Sequence, residues 1–221
     1  MELKLKFESG KSARETLDTE VTQRVSQGGE PGTSHTLSWK SDMRQRVLDV
    51  EPDGSAHVVY VTIPTEGIDE AAAAGVVLQR QVAYVHLDPQ GRYREQTPVA
   101  PPAVCVLPEG PVEEGATWSA PAELAFPALG QSVRYEQQYR LEAAETLDGV
   151  ACARISVRTE PTRAEVPLFG GNVARVRLDG DAALWVGLDG RVLRQEVRTH
   201  AVTTVGITDY ETTTAVTQRA Q

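Results

Sequence analysis

Residues 53–61 read DGSAHVVYV and carry the pattern that decides the fold. An Asp-Gly pair tolerates the positive φ angles of a tight hairpin turn, and the alternation that follows is typical of a strand with one buried face. The same pattern returns at residues 148–155, DGVACARI. The pattern predicts that one set of positions shares an interior: Ala56, Val58, Tyr60, Ala151, Ala153 and Ile155.

A second pair of similar stretches follows in the same order and at a similar separation. Residues 84–93, YVHLDPQGRY, correspond to residues 185–192, WVGLDGRV. Asp-Gly hairpins are common in any all-β protein, so the turns alone would be weak support for a repeat. The match of Tyr84 with Trp185, each just before a Leu-Asp turn, favours an internal duplication.

The periodicity of the chain is that of strands. In residues 133–141, VRYEQQYRL, the odd positions are mostly apolar and the even ones are charged or amide residues. Such alternation indicates an antiparallel sheet with one face buried and one face wet. We therefore predict a mainly β, antiparallel fold in which two similar units form a curved sheet, a half-barrel clam or a barrel. At most one short helix is expected, near residues 66–74, where alanines follow acidic residues.

The predicted β units are residues 1–98 and 112–221, and the two are expected to share one fold. A proline-rich connection at 99–111 joins them, because proline cannot donate to a strand ladder. The first unit is predicted to open with a strand over residues 2–8, which alternate in polarity.

Residues 178–181, LDGD, carry aspartates at alternating positions, as calcium loops do. The twelfth position from Asp179 is Gly190, which cannot supply the bidentate carboxylate of such a loop. We therefore predict two successive hairpin turns, at residues 179–180 and 189–190, and separate strands at 172–178 and 182–187.

Composition excludes several classes of protein. The 221 residues are 40% hydrophobic and 24% charged, as in an ordinary globular protein, and the net charge of -9 argues against a nucleic-acid partner. No stretch approaches the roughly 20 apolar residues of a membrane-spanning helix. Cys105 and Cys152 lack the spacing of a metal or redox motif. We favour unpaired structural cysteines, with a disulfide as the alternative.

No catalytic constellation is recognisable in the sequence. The chain has four histidines, scattered without metal-ligand spacing: His35, His57, His86 and His200. Nucleophile elbows, phosphate loops and dinucleotide fingerprints are missing. We expect a protein that is not an enzyme, with no catalytic residues, no metal site and no cofactor. An enzyme would require at least two of His57, His86 and nearby carboxylates to converge in a deep pocket.

The large side chains are few, so Val and Ala dominate the predicted interior. Such an interior either packs as a core, which is the commoner outcome, or lines a cleft for an apolar ligand. The candidate ligand-binding residues are the aromatic side chains of the predicted strands: Tyr60, Tyr84, Tyr135, Tyr139 and Trp185.

Three stretches resemble a bacterial family of unknown function. They are residues 3–10 (LKLKFESG), 107–118 (LPEGPVEEGATW) and 184–193 (LWVGLDGRVL). Members of that family are mostly secreted or lipid-anchored envelope proteins, so the resemblance implies a β architecture and an envelope location, with no catalytic residues to transfer. The layout is more loosely similar to periplasmic lipoprotein carriers, whose curved half-barrels hold acyl chains.

We therefore expect a non-enzymatic bacterial envelope or secreted protein that binds or carries an apolar small molecule or lipid. Its location would be periplasmic, cell-surface or secreted if a leader has been removed, and cytoplasmic otherwise. The alternative is a structural or protein-interaction domain that acts through a sheet edge. The threonine-rich stretch at 203–214 is the predicted edge.

Overall fold

The computed structural model describes residues 1–96, 105–126, 131–168 and 173–221. The strands of the first half are β1 (Ser12–Gln27), β2 (Glu30–Val50), β3 (Ala56–Glu66), β4 (Gln81–Leu87) and β5 (Tyr93–Gln96). Those of the second half are β6 (Thr117–Phe126), β7 (Gln131–Leu147), β8 (Val150–Pro167), β9 (Val173–Gly187), β10 (Val192–Val205) and β11 (Thr208–Ala220). The described residues contain one helix, α1 (Ile68–Ala73).

All eleven strands belong to one antiparallel sheet in the order β5-β4-β3-β2-β1-β11-β10-β9-β8-β7-β6. Each half is a meander, and the pairing of β1 with β11 joins the two. The predicted mainly β, antiparallel fold with one short helix is confirmed, and the sheet is open rather than closed into a barrel. The predicted unit boundaries stay a prediction, and residues 99–104 of the proline-rich connection lie outside the described residues.

Three clusters of buried hydrophobic residues lie on one face of the sheet, called here the inner face, and the two larger clusters are called the first core and the second core. The first core belongs to the first half: Leu17, Met43, Val47, Ala56, Val58, Tyr60, Ala83, Val85 and Leu87. The second core belongs mainly to the second half: Leu3, Leu5, Cys105, Leu107, Ala120, Tyr139, Leu141, Ala153, Ile155, Val157, Leu184 and Val186. Phe7 packs against both cores and links them.

The predicted interior is confirmed for five of its six positions, which are buried on the inner face in these two cores. It is wrong for Ala151, which is exposed because it follows the 148–149 turn directly, at the end of the sheet. Cys152, on the outer face, is buried instead. Cys105 and Cys152 are both free and buried, as the favoured interpretation predicted.

The segment 1–8 is not a strand, so that prediction is wrong. Its backbone bonds to turns rather than to a ladder: Leu5 N donates to Pro89 O at 2.7 Å, and Lys6 N donates to Gly190 O at 3.3 Å. Gly190 has φ +85°, and a Cβ there would lie 2.6 Å from Lys6 N. The segment therefore passes between the two Leu-Asp turns and places its leucines in the second core.

The predicted hairpin turn at residues 179–180 is also wrong, because β9 runs straight through it. A Cβ on Gly180 would lie 2.6 Å from Arg198 O of β10. The glycine thus permits a close approach of two strands, whereas the turn at 189–190 is present as predicted.

We expect Gly180→Ala to lower the free energy of unfolding by about 1–3 kcal/mol, because the added methyl group must push β10 away. Urea unfolding monitored by circular dichroism measures the loss. The control is Asp181→Ala, the next residue along β9, whose side chain is exposed. An equal effect of the two substitutions would contradict the close-approach role of Gly180.

The threonine-rich stretch at 203–214 is not an edge, contrary to prediction. It forms the end of β10, the hairpin turn and the start of β11. β11 pairs with β1 on one side and with β10 on the other, so its ladder groups are already used. Among the described strands, the edges are β5 and β6.

Candidate functional site

The five aromatic residues predicted to bind a ligand do not meet in one pocket. Tyr60 is buried in the first core, and Tyr139 is buried in the second core, where it stacks on Trp118 with ring centroids 5.5 Å apart. Tyr135 is half-buried farther along β7. Tyr84 and Trp185 lie on the outer face, since their strand neighbours Val85 and Val186 are in the cores. The side chains of Tyr60 and Tyr139 therefore pack in the first and second cores, respectively.

Between the two cores, the inner face of the central strands is lined by small side chains. We call this surface the central face and define it by Thr19, Val21, Val197, Thr199, Thr214 and Val216, all half-buried. They form two rows across the sheet, because Val216 lies opposite both Thr19 and Val197, and Thr214 lies opposite both Val21 and Thr199. The result is a floor of methyl and hydroxyl groups.

The central face is flanked by both cores. Val216 packs against the first core, and Ala182, which lies opposite Val197, packs against the second. Among the described helix and strands, extensive contacts occur between hydrogen-bonded neighbours, and α1 makes a smaller contact with β2. Within the described part of the chain, no second layer of strands or helices therefore packs on these six residues.

A buried carboxyl group lies beside the central face. Glu15 is 6% exposed and accepts a hydrogen bond from Gln218 Nε2 on the neighbouring strand. Burial raises the pKa of Glu15 to about 7, and the hydrogen bond from Gln218 opposes this effect only in part. Glu15 therefore changes charge near neutral pH.

On the outer face, Tyr84 belongs to a cluster that sequence spacing did not reveal. His57 of β3 lies directly opposite His86 of β4, and their rings stack with centroids 4.3 Å apart. Tyr84 Oη and His57 Nδ1 are hydrogen-bonded at 2.5 Å. Glu51, just before the turn into β3, brings its Oε1 atom to 3.4 Å from His57 Nε2 and 3.7 Å from His86 Nε2.

The turn that carries Glu51 is held by its own polar contacts. Ser55 Oγ lies 3.0 Å from Glu51 Oε2 and 2.6 Å from Asp53 Oδ1. Arg94 donates to Asp53 Oδ2 at 2.7 Å. The hydrogen bonds from Ser55, followed by that from Arg94, hold the pKa of Asp53 well below its usual range. The turn is therefore fixed with Asp53 ionised and paired.

Trp185 occupies a different environment. Its Nε1 atom donates to Glu145 Oε1 at 2.5 Å, and the Arg194 guanidinium lies 5.1 Å from its ring centroid, a cation–π contact. The facing pair next to it along β8 and β9 is Cys152 with Gly187, where β3 and β4 have His57 with His86. The stacked imidazoles are therefore found on β3 and β4 but not at the corresponding position of β8 and β9.

Two shallow grooves lie chiefly on the outer face. One, of about 400 Å³, is lined by charged residues that include Asp18, Glu20 and Lys40. The other, of about 450 Å³, is lined by Arg163, Arg175 and other residues of β8 to β10. None of the five aromatic residues predicted to bind a ligand lines either groove.

No protein-family model matches the chain, and no curated protein is significantly similar to it. The resemblance to an envelope family of unknown function therefore stays a prediction. Within the described ranges, no helix has the length and apolar character needed to span a membrane.

Proposed function

We propose that this chain is a non-enzymatic binding or carrier protein of the bacterial envelope, or a secreted one, that holds an acyl chain or a similar apolar ligand on the central face. The observation that carries the proposal is the half-buried floor of Thr and Val side chains between the two cores. A lipid is the preferred ligand because the floor offers methyl groups and lacks side-chain charge among its six residues.

The dimensions of the floor suit one extended hydrocarbon chain. Neighbouring strands lie about 4.8 Å apart, so the floor from β1 across β11 to β10 spans roughly 10 Å. Two rows of side chains along the strands give a width of roughly 7 Å. Each methylene group buried there would contribute about 0.8 kcal/mol, and the threonine hydroxyls would keep the empty face wettable.

We expect Thr214→Glu to weaken binding of a fluorescent fatty acid by at least about tenfold, because a carboxylate on the floor would have to be desolvated beneath the hydrocarbon chain. Thr213→Glu is the matched control: it is the adjacent residue, faces outward opposite His200, and should leave affinity within about twofold. Fluorescence titration gives the affinities, and native mass spectrometry of the purified protein detects retained lipid.

The carrier proposal fails if the wild-type protein binds neither the fluorescent fatty acid nor palmitate. It also fails if Thr213→Glu and Thr214→Glu weaken binding equally, since the ligand would then not distinguish the two faces of β11.

The alternative, a structural or interaction domain that acts through a sheet edge, has less support. β5 has only four residues, and β6 contains Pro121, which lacks an N–H group. Both features disfavour the addition of a strand from a partner. We retain the carrier as the proposed function.

We also propose that the two halves arose by duplication. The supporting observation is that the two Leu-Asp turns receive backbone hydrogen bonds from adjacent residues, Leu5 and Lys6. The turns thus lie at corresponding places on either side of one short segment.

A further inference from the structure

We propose that Glu51, His57 and His86 form a binding site for a divalent transition-metal ion, with Zn²⁺ as the best-suited ion. The site lies on the outer face of β3 and β4, away from the central face. It goes beyond the proposed carrier function and does not depend on it.

The ligand atoms are already near the positions that a metal ion requires. Glu51 Oε1 lies 3.4 Å from His57 Nε2 and 3.7 Å from His86 Nε2, and one ligand atom from each of the three residues lies within 4.8 Å of the other two. Ligands about 2.1 Å from a tetrahedral zinc ion are roughly 3.4 Å apart. Small side-chain rotations would therefore bring all three atoms into coordination.

An unsatisfied buried nitrogen points independently to a missing ligand. His86 is 9% exposed, and within the described residues its Nε2 atom has no hydrogen-bond partner. A buried polar atom without a partner is costly and uncommon in folded proteins. Because the nitrogen is directed towards Glu51, an ion between them would satisfy it.

The contacts behind the ligands are those that metal sites use. His57 would coordinate through Nε2 while its Nδ1–H donates to Tyr84 Oη, which fixes the tautomer and the ring orientation. The second oxygen of Glu51 lies 3.0 Å from Ser55 Oγ. Arg94 pairs with Asp53 at 2.7 Å and, more distantly, with the same second oxygen of Glu51 at 3.8 Å. The other oxygen, Glu51 Oε1, faces the two histidines and remains available to an ion.

The ligand types select the metal. Two imidazoles and one carboxylate suit Zn²⁺, Co²⁺, Ni²⁺ or Cu²⁺, whereas Mg²⁺ and Ca²⁺ prefer oxygen ligands. Three protein ligands leave a fourth position for water in a tetrahedral zinc site. Since the ligands come from two paired strands and the turn before them, a bound ion would also clamp this end of the first half.

The test uses the full chain after treatment with a chelator, titrated with ZnCl2 by isothermal calorimetry and with CoCl2 by visible absorption. We expect one ion per chain, a tetrahedral Co²⁺ spectrum, and a thermal midpoint that rises in excess Zn²⁺. MgCl2 should give none of these changes. Glu51→Gln and His86→Ala should each weaken Zn²⁺ binding at least about 100-fold.

His200→Ala is the matched control, because His200 also lies between two carboxylates, 3.4 Å from Asp179 and 3.0 Å from Glu211, on the outer face. It should leave the affinity unchanged. The Glu51→Gln substitution preserves the shape of the side chain, and circular dichroism would test whether the variant is folded. The proposal is overturned if the wild-type chain binds no Zn²⁺, if folded Glu51→Gln binds it as tightly as the wild type, or if His200→Ala weakens binding equally.

Discussion

Glu15→Gln is expected to raise the free energy of unfolding by about 3 kcal/mol at pH 8.5 and to leave it nearly unchanged at pH 3.5. Glu15 is 6% exposed, and burial raises its pKa from 4.5 to about 7. Between pH 4.5 and about pH 7, Glu15 of the folded protein holds a proton that the same residue has lost in the unfolded chain. Stability therefore falls as the pH rises through this window, and the loss is complete above about pH 7. A glutamine keeps the acceptor for Gln218 and removes the titration.

Urea unfolding at four pH values between 3.5 and 8.5 measures this difference between the variant and the wild type. The control is Glu20→Gln in the same strand, because Glu20 is exposed and faces outward. A stability difference for Glu15→Gln that does not grow between pH 4.5 and 7 would show that the carboxyl is solvated in solution. Destabilisation at pH 8.5 would show that Glu15 is needed in its charged form.

Alternation of apolar and polar residues was enough to predict the fold class. A strand with one buried face needs every second residue to be apolar, so the pattern at 133–141 predicted β7, and the one after Asp53 predicted β3 and the burial of Val58 and Tyr60. The Asp-Gly turns at 148–149 and 189–190 could also be predicted from the sequence, because these turns need positive φ angles, which few residues other than glycine, asparagine and aspartate adopt.

Features that depend on the pairing of distant strands could not be predicted from the sequence. The strand β6 was missed, since Pro121 and its neighbours do not alternate clearly. The Asp179-Gly180 pair was predicted to form a turn, because the same two residues occur in turns and in strands. The close approach of Arg198 O, which explains a glycine within β9, depends on the pairing of β9 with β10.

The histidine cluster was missed for a similar reason. His57 and His86 are far apart in sequence, and their approach depends on the register of β3 with β4. A signal was nevertheless present: each histidine lies next to a valine of the buried face, so pairing of the two strands would place both imidazoles on the other face. The central face likewise arises because β1 pairs with β11, and nothing local encodes that contact.

The largest loss of stability is expected when the short segment 1–8 loses its leucines. Leu3 and Leu5 are 2% and 8% exposed in the second core. Replacement of a buried leucine by alanine costs about 2–5 kcal/mol, so the double variant Leu3→Ala, Leu5→Ala should lose about 5 kcal/mol or more. Urea unfolding measures the loss, and Leu5→Ala alone gives an intermediate value if the double variant does not fold.

The matched control is Lys4→Ala, because Lys4 lies between the two leucines and its side chain forms an exposed ion pair with Glu2. It should change stability by less than about 0.5 kcal/mol. Because Phe7 packs on both cores, displacement of the segment should also increase hydrogen exchange in β3 and β4, far from the leucines themselves. Exchange that increases only in β8 and β9 would mean that the two cores are stable independently, and that the segment serves one half rather than joining both.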